Sequence, residues 1–316
     1  MIKAKSIATR VASSIAVLLF FVCAFPAVAQ TSRGTVTGSV TDSSGAIINS
    51  ATIQLINKGT GETRSTVTNE SGIYRFDAVD LGRYDLKVTA QGFKSFSATN
   101  IDIQANRTAT FDAQLRASGA DLVIDISAGS EEILQKSDAV RGGNFDHQDI
   151  VKLPIASLSA YDLGQLVPGV ANPAGSGAMF GNGTSQFAVN GQRPRGNNYL
   201  LDGTENNDIS IGGPANEITN DDAIAEFSIQ TGLFSAEFGR AGGGVFNVIT
   251  KSGANGFHGT GKWLINSQDF NATTNGDRLN GLTSPAVFTE NIFGGTFGGP
   301  IVKDKTFFFA AVQWDR

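Results

Sequence analysis

Short runs of alternating apolar and polar residues, each closed by a glycine, asparagine or aspartate turn signal, recur through most of this chain. Val36, Gly38 and Val40 alternate with Thr35, Thr37, Ser39 and Thr41, and Tyr84, Leu86 and Val88 with Asp85, Lys87 and Thr89. A period of two is that of a half-buried strand, one face inward and the other in solvent. Ile101 and Ile103, then Phe111, Ala113 and Leu115, repeat the pattern. Asp42-Ser43-Ser44-Gly45, Asn69-Glu70-Ser71-Gly72 and Leu81-Gly82 punctuate it with turns. The fold class expected is therefore mainly β. The 38 glycines, without a collagen period, suit tight turns and close strand packing.

About seven such strands between Gly34 and Leu115 predict an immunoglobulin-like β-sandwich. The runs GSVTDSSGAIINSATIQL and TNESGIYRFDAVDLGRYDLKVTAQGF within it resemble the carboxypeptidase-regulatory-like domain. That resemblance implies an accessory module without peptidase chemistry. The residues agree, since neither His147 nor His258 sits in an HxxE or HExxH spacing and no zinc pair can be built locally.

The first residues read as a secretory leader. Lys3, Lys5 and Arg10 form a basic start, Ile15 to Phe25 an apolar core, and Ala27-Val28-Ala29 a small-x-small cleavage site before Gln30. The apolar run falls short of the about 20 residues of a membrane helix, which disfavours an uncleaved anchor. Val22 is too bulky for lipoprotein processing at Cys23, so that cysteine leaves with the leader and no disulfide is expected. Losing the leader's cations makes the chain more acidic than its net charge of −5. An acidic chain without a basic stripe argues against nucleic acid as a partner.

The middle of the chain mixes elements. Phe187-Ala188-Val189 and Tyr199-Leu200-Leu201 are short strands that end at Asn190-Gly191 and Asp202-Gly203, and Gly242-Gly243-Gly244 opens another that runs out at TKSG. Ser157 or Ser159 is placed to cap a short helix carrying Leu158, Tyr161 and Leu166 on one side, stopped by Pro168-Gly169. Asp221 or Asp222 is placed to cap a turn through Ala223, Ile224 and Ala225, after which Phe227 to Gln230 alternate again. Gly175 to Gly183 is expected to be a loop. Short helices among short strands make an α+β unit.

From Phe257 the character changes. Phe257, Gly259, Gly261, Trp263 and Ile265 share one face and His258, Thr260, Lys262 and Asn266 the other, with Leu264 the exception. Apolar outside and polar inside at period two is the signature of a transmembrane β-barrel strand. After a long loop, Asn271 to Ser284, NIFGGTFGGPI and TFFFAAVQW form a hairpin around Lys303-Asp304-Lys305. Plugged transporter barrels have about 22 strands. Some three precede Arg316, so the chain is expected to be the N-terminal part of a larger protein.

Taken in order, these segments resemble a TonB-dependent outer-membrane receptor of the carboxypeptidase-regulatory-like (Oar-like) type. The resemblance rests on Asn190 to Gly261 and on FGGTFGGPIVKDKTFFF. It implies a signal peptide over 1–29, the sandwich over 30–116, an α+β plug over 117–254 and the first strands of a transmembrane β-barrel over 255–316. It further implies an outer-membrane location with a periplasmic N-terminal domain, contact with membrane lipid, and import of a bulky solute energised by TonB with ExbB and ExbD. The solute classes implied are siderophore, glycan, cobalamin and peptide.

The resemblance also marks candidate residues. Asp121, Leu122, Val123 and Ile124 lie where a TonB-contacting strand sits, to be read by strand addition. The alternative is that they form the first strand of the plug. Arg193, Arg195 and Arg240 are candidates for ion pairs inside the plug, with Glu226 or Glu237 as partners. Such pairs are expected of any plug facing a polar barrel wall.

Sharper motifs fail on context. GFHGTGKW at Gly256–Trp263 nearly spells a phosphate loop, yet Trp263 stands where Ser or Thr is needed and a strand follows. DGTENND at Asp202–Asp208 lacks the alternation of a calcium loop and reads as turn residues bonding their own backbone. No metal, cofactor or nucleophilic constellation is expected, and the chain is read as a non-enzyme. Two rival readings are a structural or adhesive surface protein without transport and a soluble periplasmic binding module. Unpaired apolar edges at Phe293, Phe297 and Phe307 to Phe309 argue against the second.

Overall fold

The computed structural model describes residues 33–117, 122–125, 140–153, 159–171, 187–208, 210, 213–234, 238–270, 272–273, 275–281, 283–284 and 287–316. The expected cleavage site at Ala27, Ala29 and Gln30, the loop at 175–183, and Asp121, Ser157, Leu158 and Glu237 lie outside them.

Alternation in the first region produces eight strands: β1 (Gly34–Asp42), β2 (Thr52–Asn57), β3 (Thr63–Val67), β4 (Ile73–Val79), β5 (Gly82–Thr89), β6 (Phe96–Ile103), β7 (Thr108–Thr110) and β8 (Ala113–Leu115). One sheet runs β4-β1-β7, with β8 also on β1, and the other runs β3-β2-β5-β6. Val36, Val40, Ile53, Leu55, Leu86 and Val88 are fully buried between them. This is the expected two-sheet sandwich. The inward position of Gly38 has a steric cause. A Cβ there would lie 1.7 Å from Phe111 O, where the chain steps from β7 to β8. Tyr74 Oη donates to the same carbonyl at 2.8 Å.

A ninth strand, β9 (Leu122–Asp125), extends the second sheet by pairing parallel to β6, Phe96 opposite Leu122. The alternating run at Leu122, Val123 and Ile124 is thus a strand, but it joins the sandwich and not the plug sheet.

The plug strands are β10 (Arg141–Asp146), β11 (Val170–Ala171), β12 (Ala188–Val189), β13 (Asn198–Leu201), β14 (Thr204–Glu205), β15 (Ile224–Gly232) and β16 (Val245–Thr250). They form a sheet in the order β10-β15-β16-β13-β14 and a small β11-β12 hairpin. Only β13 and β16 pair in parallel. The two sequence turn pairs do what their residues allow. Asn190 and Gly191 adopt φ of 51° and 77°, and Asp202 and Gly203 φ of 50° and 76°, the left-handed values of a tight hairpin turn. Phe187, Tyr199, Phe227, Phe246 and Tyr161 stack against one face of the sheet with ring centroids 5.0 to 6.3 Å apart.

Helical details differ from expectation. Ala160–Leu166 is a 3-10 helix. At three residues per turn Tyr161 shares its row with Gly164 and Val167, which are buried, whereas Leu166 is exposed. The second turn spans Asp221–Ala223, and its cap is Asn220, whose side chain accepts from Asp222 N. Ile224 is taken by β15, where it pairs with Thr250. Helix α1 (His147–Lys152) was not foreseen; Asp146 and Asp149 close a capping box at its start.

Strands β17 (His258–Ser267), β18 (Thr289–Val302) and β19 (Thr306–Asp315) form an antiparallel meander with the expected turn at Lys303–Lys305. The intervening loop carries a short helix, α2 (Asn275–Leu279). Trp263 stacks on Phe293 and Phe257 on Phe297 along the exposed face. No helix among the described residues is long and apolar enough to cross a membrane.

Candidate functional site

Lys262 stands on the polar face of β17, opposite Trp263 on the apolar face. Its ammonium pairs with Asp221 of the plug, and both side chains are largely buried. Beside them Asn220 Nδ2 donates to Val312 O at 3.2 Å, and Gln313 Nε2 donates to Thr219 Oγ1 at 3.1 Å. Residues 219–222 therefore lie along the polar side of β17 and β19, and a cavity of about 450 Å³ opens between this segment and β19. The cap that Asn220 provides holds Asp221 in position. A wall strand with apolar residues outward and polar residues toward a filling domain is the arrangement a plugged barrel requires.

Behind the pair lies a second charged group. His147 Nε2 is 2.9 Å from Lys251 Nζ and 4.0 Å from Asp222. Burial, and then the neighbouring Lys251 charge, lower the His147 pKa; burial lowers that of Lys251. The acids Asp221 and Asp222 oppose both shifts, so this end of the plug balances cations against carboxylates.

Among the described residues the arginine candidates do not pair with Glu226. Arg240 pairs with Glu205 on the plug surface, and Arg195 Nη2 donates to Ser210 O at 3.3 Å. Arg193 occupies the N-cap position of the 3-10 helix Pro194–Gly196, with no capping hydrogen bond from its side chain. Glu226 is buried on β15 and takes no arginine; it accepts the Ala105 N–H of the sandwich at 3.1 Å and the Asn144 amide. The reason is placement. Glu226 faces the sandwich, whereas Arg240 stands beside β14 at the other edge of the sheet. Asn144 lies directly opposite Ser228 in a run, Gly142-Gly143-Asn144, that carries no alternation, so nothing in the sequence marked it.

Within the acid-rich loop Asp208 makes the expected local turn bond, accepting Ser210 N at 2.7 Å, whereas Asp202, Asn206 and Asn207 bond to more distant segments. Asp202 accepts Thr250 N at 2.7 Å and Thr250 Oγ1 at 2.8 Å. Asn207 accepts Tyr199 N at 2.9 Å, and Asn206 donates to Asn216 O at 2.7 Å. The glycine triplet has a related cause: a Cβ at Gly243 would fall 2.4 Å from Asn197 Oδ1, which accepts Gly244 N.

Three family models match in chain order. A carboxypeptidase regulatory-like domain covers residues 35–116, a TonB-dependent receptor plug domain 136–245, and an outer membrane β-barrel domain 249–316. The chain is 30% identical over 264 residues to the TonB-dependent transporter Oar of Myxococcus xanthus, covering 78% of this chain and 23% of that protein. It therefore spans about a quarter of the length of the curated relative it matches. Among solved structures, the siderophore receptor PirA from Acinetobacter baumannii aligns with a TM-score of 0.41 at 21% identity, over 59% of this chain and 26% of that one. The outer membrane transporter YddB from Escherichia coli aligns with a TM-score of 0.43 at 16% identity, over 54% and 26%. With its regulatory-like sandwich, plug and barrel strands matched in this order, the chain belongs to the TonB-dependent receptors and is an outer-membrane protein.

Proposed function

We propose that this chain supplies the leader, periplasmic sandwich, plug and first barrel strands of a receptor that imports a bulky solute with energy delivered through TonB, ExbB and ExbD. The boundaries proposed are 1–29, 30–116, 117–254 and 255–316. The observation that carries this reading is the polar seam between plug and wall, with Lys262 on Asp221 and Thr219 and Asn220 against β19. Such a seam is made of hydrogen bonds and charges that water can replace, so the plug can shift without tearing an apolar core. The strand at Leu122–Ile124, with Asp121 before it, is the proposed TonB-contacting segment, because an extended segment before the plug is available for strand addition. Siderophore, glycan, cobalamin and peptide remain the solute classes to try.

The test is uptake by cells carrying the intact receptor, compared with and without functional TonB, using labelled ferric siderophore, cobalamin, oligosaccharide and oligopeptide in turn. Accumulation of one class that disappears without TonB is expected. Accumulation unaffected by loss of TonB would overturn energised import.

A further inference from the structure

Two turns of the sandwich touch two different parts of the receptor. Strands β2 and β6 both pair with β5, and Asn57 and Ile103 lie at the same end of that sheet. The turn after β6 meets the plug: Ala105 N donates to Glu226, and Asn144 Nδ2 donates both to Ala105 O at 3.1 Å and to Glu226. The turn after β2 meets the start of the barrel. Asn255 N donates to Gly59 O at 2.9 Å, and Asn255 Nδ2 donates to Thr60 O at 2.8 Å and Asp304 Oδ1 at 2.7 Å. Asp304 N, in the β18–β19 turn, donates back to Asn255 Oδ1 at 2.8 Å.

We propose that the sandwich is a clasp across the seam between plug and first barrel hairpin, gripping the plug through Ala105 and the barrel turn through Gly59 and Thr60. Because one sheet carries both turns, the plug cannot shift against the hairpin while both grips hold. The clasp goes beyond the import reading and does not depend on the solute or on TonB.

The plug-side grip is built to release. A carboxyl removed from water is tolerated only with its hydrogen bonds made, and Glu226 takes one from Ala105 of the sandwich and one from Asn144, which itself ties to Ala105 O. Asn106 Nδ2 and Gln230 Oε1, both buried and without a hydrogen-bond partner among the described residues, line one cavity of about 60 Å³, room for a bridging water or two.

Burial raises Glu226 from 4.5 to about 7, against the lowering by the Ala105 N–H and Asn144 amide. Asp102 on β6 adds to the rise and Arg107 opposes it. Asp102 is itself raised, first by burial, with Asp146 on the plug contributing. The clasped form thus holds the proton more tightly than the open form. The grip is strongest below about pH 4.5, weakens by up to about tenfold per pH unit as pH rises toward 7, and is level above.

Hydrogen exchange on the intact receptor in nanodiscs tests this, with rates corrected for the intrinsic pH dependence. Protection of the Ala105 amide is expected to fall more than about tenfold between pH ~5 and pH ~7 in the wild type. Glu226→Gln should hold it nearly constant, and Asn255→Ala should release Gly59 and Thr60 from the barrel turn and expose their segment. Asn144→Ala, which removes the neutral amide tied to both Ala105 O and Glu226 while leaving the carboxyl to titrate, should lower Ala105 protection at every pH. Amides of Leu86 and Val248 report that both cores stay folded. A wild-type Ala105 amide exchanging at the free rate near pH 5, or a Glu226→Gln variant following the wild-type pH course, would overturn the clasp. So would Asn144→Ala without effect on Ala105.

Discussion

In the sandwich, β5 buries Tyr84, Leu86 and Val88 and leaves Arg83 and Lys87 in solvent, whereas in the plug β15 buries Phe227, Ser228, Ile229 and Gln230 alike. The sandwich is two sheets that close on each other, so each strand needs one apolar face. The plug sheet is covered twice: aromatic rings pack on one face, while on the other Glu226 and Asn144 meet the Ala105 turn of the sandwich. The plug therefore carries a carboxyl within its main sheet that a neighbour helps to satisfy, whereas the space between the sandwich's two sheets is apolar. One is a self-contained support; the other is a part made to be held by others.

This contrast can be broken. The largest effect is expected from Phe246→Ala, which empties the space between the rings of Phe187, Tyr199 and Phe227. It should cost about 3–5 kcal/mol, and hydrogen exchange should show the plug strands opening while β2 and β5 stay protected. Leu86→Ala is the counterpart in the sandwich, at about 2–5 kcal/mol. If the sandwich is the self-contained region and the plug the held one, loss of the sandwich should also lower protection along β15, whereas loss of the plug should leave the sandwich protected. Concerted loss of both regions in Phe246→Ala would contradict the division.

Lys262→Ala sharpens the comparison at the seam. It strands Asp221 against the barrel strand at a cost of about 1.5–3 kcal/mol, read as faster exchange at residues 219–223 with both cores intact. Arg240→Ala should do least. Its pair with Glu205 is exposed on both sides, and such pairs contribute little, so the melting curve should not move measurably.

Legibility followed the same contrast. In the sandwich most inward Val, Ile and Leu residues are flanked by outward polar ones, so strands, turns and the two-sheet core were open to reading. Gly38, on the inner face of β1, follows from the Phe111 carbonyl across from it, which no local pattern reveals. The Asn190-Gly191 and Asp202-Gly203 turns were legible because positive φ demands those residues. In β10, Gly142, Gly143 and Asn144 carry no period, since they are chosen by contacts with Ile229, Val167 and Ala105 from distant parts of the chain. For the same reason Glu226 was recognisable as a charged residue of interest but its partner was not. An acid opposite a backbone N–H of another domain leaves no trace in its own neighbourhood. Lys262 was legible as a polar-face residue of β17 because the apolar face of that strand declared itself.

The most direct test of the receptor assignment is a titration of the purified periplasmic domain of TonB against the intact receptor in nanodiscs, alongside an Ile124→Pro variant. Proline removes a backbone N–H that strand addition needs. Saturable binding to the wild type, lost or weakened at least about tenfold in the variant, a difference of about 1.4 kcal/mol, is the predicted result. Absence of binding to the wild type would contradict the account.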